Sequence, residues 1–264
     1  MNVLMIGGGA IGREVLKRIA GDPRVRITHI LDIPQAKAAI EAAVGPGIKV
    51  ISSLAEFEGR PDYVIECAGH AAVKSVVPEI LGRGWDVALA SVGSLAEAGL
   101  AQTLEEAARR GGAQLTLISG AIAGIDAIAS AKVGGLDEVI YTGRKPPIGW
   151  EGTPAEKVCD LKTLKQATII FEGTAGEAAR MFPKNANVAA TVSLAGLGLD
   201  RTRATLIADP GVTQNIHNVK ARGAFGELEI TISGRPLADN PKTSALAAYS
   251  AARILLNRLS SLII

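Results

Sequence analysis

Apolar positions in the first half of the chain alternate between two rhythms. Continuous apolar runs occur at Val3-Leu4-Met5-Ile6, Ile27-Thr28-His29-Ile30-Leu31, Val50-Ile51, Tyr63-Val64-Ile65-Glu66-Cys67-Ala68, Asp86 to Ser91 and Gln114 to Ile118. Each is short and ends in glycine or polar residues, the signature of a strand buried on both faces. Between them lie segments with helical spacing: one beginning around Arg13 and running through Ile19, one from Pro34 to Val44, one from Ala71 to Arg83 and one from Gly99 to Arg110. In the third of these, Val73, Val76, Val77 and Ile80 fall on one helical face. Strand and helix in strict alternation predict a parallel sheet with helices on both sides.

From about residue 121 the rhythm changes. Asp126 to Val133, Ala175 to Phe182 and Val188 to Gly196 read as helices, and Glu138 to Arg144, Thr168 to Phe171, Arg203 to Asp209, Asn215 to Ala221 and Phe225 to Ser233 as strands. Val219, Glu227, Glu229 and Thr231 alternate in polarity with their neighbours, as antiparallel strands with one solvated face do. Ser244 to Leu259 is an amphipathic helix of Ala, Leu and Ile that needs a surface to cover. The expected division is therefore residues 1–120, with 244–264 returning to pack on them, and a mixed α/β catalytic and dimerisation domain over 121–243.

The first strand runs straight into Gly7-Gly8-Gly9-Ala10-Ile11-Gly12, and Gly7, Gly9 and Gly12 fit G-x-G-x-x-G. That pattern lets backbone N–H groups and a helix N-terminus approach a pyrophosphate, and here it has the required strand before and helix after. Asp32 closes the second strand 25 residues after Gly7, near the roughly 20-residue interval expected of the acid that holds a ribose diol. A Rossmann doubly wound domain is the consequence. Asp32 disfavours a 2′-phosphate and no arginine follows it directly, so NAD is expected over NADP, while Lys37 keeps NADP open. Ligands in such sheets lie beyond the carboxyl ends of the strands, which adds Ala10, Ile11, Cys67, Ala68 and His70 to the cofactor-facing set. Cys67 also reads as a small buried hydrophobe, and His70 as a plain helix-start residue.

Composition narrows the chemistry. The 264 residues are 48% hydrophobic and 20% charged, with net charge +2, no Lys/Arg block longer than a pair and only 3% aromatic residues. Neither a basic footprint nor stacking platforms for nucleic acid are present. Cys67 and Cys159, far apart and without a histidine cluster, predict no metal site and no disulfide framework. The longest uncharged stretch, Gly111 to Ile125, is too short for a membrane span. The N-terminus enters a strand without a cleavage signal, and a cytoplasmic protein is expected.

A second glycine-rich turn, Ser119-Gly120-Ala121-Ile122-Ala123-Gly124, allows close backbone approach to the nicotinamide end or to a substrate carboxylate; it also reads as a bare crossover. His217 is the single histidine of the second domain and the candidate proton-transfer group, set against an ordinary sheet histidine. Asn185-Ala186-Asn187 and Asn240-Pro241-Lys242-Thr243-Ser244 read as polar, turn-like clusters at helix N-termini that suit an acidic small molecule.

Taken together, the N-terminal fingerprint, the 119–124 turn, Arg144-Lys145-Pro146-Pro147, the segment from Asn185 to Ala190, the His217 segment and Asn240 to Ser244 resemble the L-aspartate dehydrogenases over nearly the whole chain. The resemblance implies a homodimer that oxidises aspartate with NAD(P) to iminoaspartate, which yields oxaloacetate and ammonia or feeds NAD biosynthesis. It makes His217 the active-site histidine and Ala121 and Asn187 cofactor contacts. Ser119, Asn187, Lys242, Thr243 and Ser244 are the residues expected to hold the substrate. Alternative readings are another dehydrogenase of this architecture, such as a homoserine dehydrogenase, and a non-catalytic NAD-binding sensor.

Overall fold

A computed structural model describes residues 1–183, 187–237 and 240–263, apart from the side chains of 241 and 242. Clustering of the backbone divides the chain into two units: residues 1–94, 98–118 and 247–264 form one, and 95–97 with 119–246 the other.

In the first unit, β1 (Asn2–Ile6), α1 (Ala10–Ile19), β2 (Arg26–Leu31), α2 (Pro34–Val44), β3 (Lys49–Ile51), β4 (Tyr63–Glu66), α3 (His70–Ser75), α4 (Val77–Gly82), β5 (Val87–Leu89), α5 (Leu100–Gly111) and β6 (Leu115–Leu117) follow in order. The strands form a parallel sheet in the order β3-β2-β1-β4-β5-β6, the doubly wound arrangement expected from the alternation. Strand order reverses between β1 and β4, and this is where such sheets open a crevice. The expected helix from Ala71 to Arg83 is instead two, separated at Val76 with φ −120°. Pro78 explains the break, because its ring and missing N–H cannot continue the preceding turn.

The second unit carries α6 (Ile125–Gly134), β7 (Leu136–Lys145), β8 (Thr168–Thr174), α7 (Ala175–Met181), α8 (Asn187–Ala195), β9 (Arg203–Ala208), β10 (Asn215–Gly223), β11 (Gly226–Gly234), β12 (Pro236–Leu237) and β13 (Asn240–Ser244). Five strands form a mixed sheet, β11-β10-β7-β9-β8, in which only the β7–β9 pair is parallel. Helices α6, α7 and α8 pack against β10, β9 and β7. On β7 the buried positions are Val139, Tyr141, Gly143 and Lys145, and on β10 they are Asn215, His217, Val219 and Ala221. Asn240 to Ser244, expected as a turn, is a strand paired with β12.

The last helix, α9 (Ala245–Asn257), belongs to the first unit from residue 247 onward. Its Ala251, Ala252 and Leu255 join Val3, Ile27, Tyr63 and Ile65 in the core of that unit. Arg258 then pairs with Asp86 at 2.9 Å and lies over the Tyr63 ring. Because Leu255 is fully buried, Leu255→Ala should lower stability by about 2–5 kcal/mol through lost apolar burial and a residual cavity. Urea denaturation followed by circular dichroism measures this, and a loss under about 0.5 kcal/mol would remove α9 from the core.

Candidate active site

The fingerprint glycines have separate steric causes. Gly7 has φ +96°, and a Cβ on it would lie 2.6 Å from the backbone of Ala68. A Cβ on Gly12 would lie 2.3 Å from the Gly7 carbonyl, so this glycine lets α1 sit close on β1. A Cβ on Gly9, the residue capping α1, would meet no atom within 4 Å, and Gly9 offers no side chain to its helix N-terminus. Unfilled backbone donors at a helix start, in front of open space, fit a pyrophosphate.

Asp32 accepts hydrogen bonds from the N–H of Gly8 at 2.9 Å and of Ile33 at 2.8 Å. The carboxylate is thus fixed at the rim of a cavity of about 490 Å³ lined by Asp32, Ile33, Pro34, Ala68, Gly69 and His70. This cavity brings Asp32, Ala68 and His70, three of the residues expected to face a cofactor, to one rim. Cys67 is buried, and burial pushes its thiol well above the ordinary value, which agrees with its reading as a small hydrophobe.

Glu66 was not singled out from the sequence, yet it organises this rim. It is wholly buried at the end of β4. Its oxygens accept from the N–H of Ala68 and Gly69, each at 2.8 Å, and from the N–H and hydroxyl of Ser91, each at 2.9 Å. One carboxylate therefore ties the loop after β4 to the loop after β5. The signal was present as a lone acid inside an apolar strand, where an unpaired charge would be prohibitive.

In the second unit His217 is 3% exposed. It stands opposite Gly143, while Val219 stands opposite Tyr141. The Tyr141 hydroxyl reaches along the covered face to His217 Nδ1 at 2.8 Å. Gly143 makes this possible, since a Cβ there would come within 2.6 Å of that hydroxyl oxygen. Burial first, and then the charge of Lys145, push the imidazole down to about 3, so the ring is neutral rather than poised near neutrality. Burial also pushes the Tyr141 phenol up, which keeps its O–H intact. Nε2 is consequently the nitrogen left free of this bond.

The other expected residues are placed less uniformly. Ala121 is buried, and Gly124 caps α6 with φ +73° where a Cβ would strike Ile230, so packing accounts for that glycine. Asn187 is the first residue of α8, and its carbonyl accepts from the Thr191 hydroxyl. Thr243 Oγ1 accepts from Asn240 Nδ2 at 3.0 Å. The Ser244 hydroxyl is buried without a hydrogen-bond partner among the described residues, close to Gly234, which pairs with Asn215. The Lys242 side chain, and Asn185 with Ala186, lie outside the described residues.

Comparison with known proteins completes the picture. Residues 7–117 match the family model for the NAD-binding domain of homoserine dehydrogenase, which covers the dinucleotide half alone. Residues 126–258 match that for the C-terminal region of aspartate dehydrogenase. Over 267 aligned residues the chain is 55% identical to the L-aspartate dehydrogenase of Polaromonas sp., covering 100% of both chains. The chain belongs to the L-aspartate dehydrogenase family. The L-aspartate dehydrogenase of Cupriavidus necator is 54% identical, over 98% of this chain and 97% of its own. The crystal structure of aspartate dehydrogenase from Thermotoga maritima superposes with a TM-score of 0.78 at 29% identity, covering 100% of this chain and 99% of that one. Membership makes the chain an oxidoreductase with a nicotinamide-dinucleotide domain.

The neutral His217 has a measurable consequence. Its pKa is about 3 in the folded chain and near 6.5 when exposed, so the unfolded chain binds the extra proton between those values. Its contribution to stability is present above about 6.5 and is lost as pH falls toward 3. Thermal midpoints of the wild type should therefore fall more steeply across this window than those of His217→Gln. Parallel profiles would show that the ring is not buried neutral.

Proposed function

We propose that this protein oxidises L-aspartate to iminoaspartate with NAD(P), the imine then hydrolysing to oxaloacetate and ammonia or entering NAD biosynthesis. The observation that carries the reading is a buried, neutral imidazole, His217, held through Nδ1 by Tyr141, in the half of the chain that matches the aspartate dehydrogenase C-terminal region. The family resemblance brings with it a cytoplasmic homodimer acting on a small molecule.

Bound NAD(P)⁺ supplies the two-electron acceptor at its nicotinamide ring. The chain's own residues have the remaining work. The substrate arrives as an ammonium, whose nitrogen has no lone pair to assist loss of hydride from the α-carbon. His217 takes that proton through Nε2, directly or through a water. Once Nε2 has passed that proton to solvent, it can accept a proton from the water that adds to the imine carbon and return it to the carbinolamine nitrogen, which leaves as ammonia. Ser119 and the backbone of its turn, with Asn187, Lys242, Thr243 and Ser244, hold the two carboxylates. The Ser244 hydroxyl, buried without a partner among the described residues, supports this role, because a buried donor without an acceptor is costly unless a ligand supplies one. Gly7, Gly9, Ala10, Ile11 and Gly12 approach the pyrophosphate, Asp32 the adenosine ribose, and Ala68, His70, Ala121 and Asn187 the remainder of the dinucleotide.

NADH formation with a panel of amino and hydroxy acids tests the reading. Turnover with aspartate alone supports it, and turnover with homoserine, or none, rejects it. His217→Ala should lower aspartate turnover by about 10²- to 10⁴-fold while NADH binding, followed by fluorescence, is retained. Turnover equal to wild type would remove His217 from the chemistry.

Asp32 carries the preference for NAD. Its fixed negative charge at the cavity rim would repel a 2′-phosphate. Asp32→Ser is expected to shift the ratio of kcat/KM for NAD over NADP by about tenfold or more toward NADP. An unchanged ratio places the discrimination elsewhere.

A further inference from the structure

Lys145 ends β7 on the same covered face as Tyr141 and Gly143. Such a position ordinarily takes an apolar side chain. Lys145 is nevertheless only 5% exposed, and among the described residues it is the one buried lysine or arginine. Other buried charges are compensated within the chain. Glu66 accepts four hydrogen bonds, and Asp209 accepts from Arg144 and from the N–H of Gly211. The Lys145 ammonium has only the face of Trp150, with Nζ 5.3 Å from the ring centroid, and no anionic or hydrogen-bonding partner among the described residues. An ammonium largely withdrawn from water without a counter-ion carries a cost that a methionine of similar length would avoid.

Its surroundings explain why it is there. Arg144 pairs with Ile216 across the sheet, so Lys145 and His217 lie to either side of that pair, on the covered face. Asn215, also buried, shares this end of β10, and the partnerless Ser244 hydroxyl lies near the Asn215–Gly234 pair. A buried cation and a neutral imidazole thus lie on the covered face of two neighbouring strands, and the Ser244 hydroxyl, without a partner among the described residues, lies beside Gly234 on the next strand.

We propose that Lys145 is a substrate-binding residue whose ammonium receives one carboxylate of the dicarboxylate that His217 deprotonates. The proposal rests on the aspartate reading above and adds to it the counter-ion that this cation lacks. It also couples binding to chemistry. In the free chain burial pushes Lys145 down to about 8, and its charge helps to hold His217 near 3. A carboxylate on the ammonium stabilises the charged lysine and cancels its field at the imidazole, so the proton affinity of His217 rises when substrate is in place. The other groups facing this pair do not compete. Tyr141 stays a neutral phenol, Arg144 is engaged by Asp209, and Lys220 farther along β10 is exposed and paired with Glu229.

Succinate, with the four-carbon dicarboxylate skeleton and no amine to oxidise, is the probe. The chain has three histidines, so the His217 imidazole can be identified by NMR as the signal lost in His217→Gln. In the wild type, saturating succinate should move the His217 titration midpoint upward by about one unit or more. In Lys145→Met that movement should be absent, succinate binding weakened about tenfold or more, and the KM for aspartate raised by a similar factor. Lys145→Arg should restore part of both effects. NADH affinity should be unchanged in both variants, which separates a binding role from a purely structural one.

Succinate binding to Lys145→Met as tightly as to wild type would overturn the proposal. So would a wild-type His217 that ignores bound succinate, a result that needs no variant to fold. Aspartate turnover without succinate-linked titration defeats the role of Lys145 and leaves the enzyme reading standing. Linked titration without aspartate turnover keeps Lys145 as a dicarboxylate anchor and defeats that reading.

Discussion

Removing a charged or strongly polar side chain from water is the constraint around which both units are arranged. Hydrophobic packing of Val, Ile, Leu and Ala would build the two sheets without assistance, and it tolerates many substitutions of similar volume. It does not tolerate a carboxylate or an ammonium unless partners are supplied. Glu66 meets that condition inside the chain, with two loop N–H groups on one side and Ser91 on the other. The loops beyond β4 and β5 are consequently held by an interaction that only one geometry satisfies. A rim built on such a tie is preorganised before any ligand arrives.

The second unit handles the same constraint differently. Tyr141 and His217 satisfy each other across the space that Gly143 leaves open, giving an imidazole with one nitrogen fixed and the other unoccupied by that bond. Lys145 and Ser244 remain without a compensating partner among the described residues. Stability alone would favour their replacement. Their presence is the kind of local inconsistency expected where binding is served at the expense of stability.

Much of the fold was legible because its signals are local. The Pro34–Val44 helix matches its sequence reading, since Pro34 supplies a ready-made first turn and Gly45, at φ +79°, ends it. The parallel sheet follows from alternating strand and helix runs, and the antiparallel β10–β11 pair from its polar alternation. What escaped depends on partners remote in sequence, or on one residue outweighing its neighbours. Asn240 to Ser244 has the composition of a turn, and pairing with Pro236-Leu237 makes it a strand. Pro78 divides a helix whose apolar spacing continues through it.

The site divides along the same line. Gly7, Gly9, Gly12 and Asp32 stand out because a dinucleotide fingerprint is written in spacing along one βαβ unit. His217 stood out for being alone, but its neutral state could not be read, because desolvation and the field of Lys145 arise only when β7 and β10 lie side by side. Lys145 itself was within reach of the sequence. Extending the alternation Val139, Tyr141, Gly143 by one step places a lysine on the covered face, where a strand pattern calls for an apolar residue. A cation at a position that periodicity assigns to the interior points to an anion supplied from elsewhere. The burial of Lys145 close to His217 supplies a physical reason for the lysine in Arg144-Lys145-Pro146-Pro147.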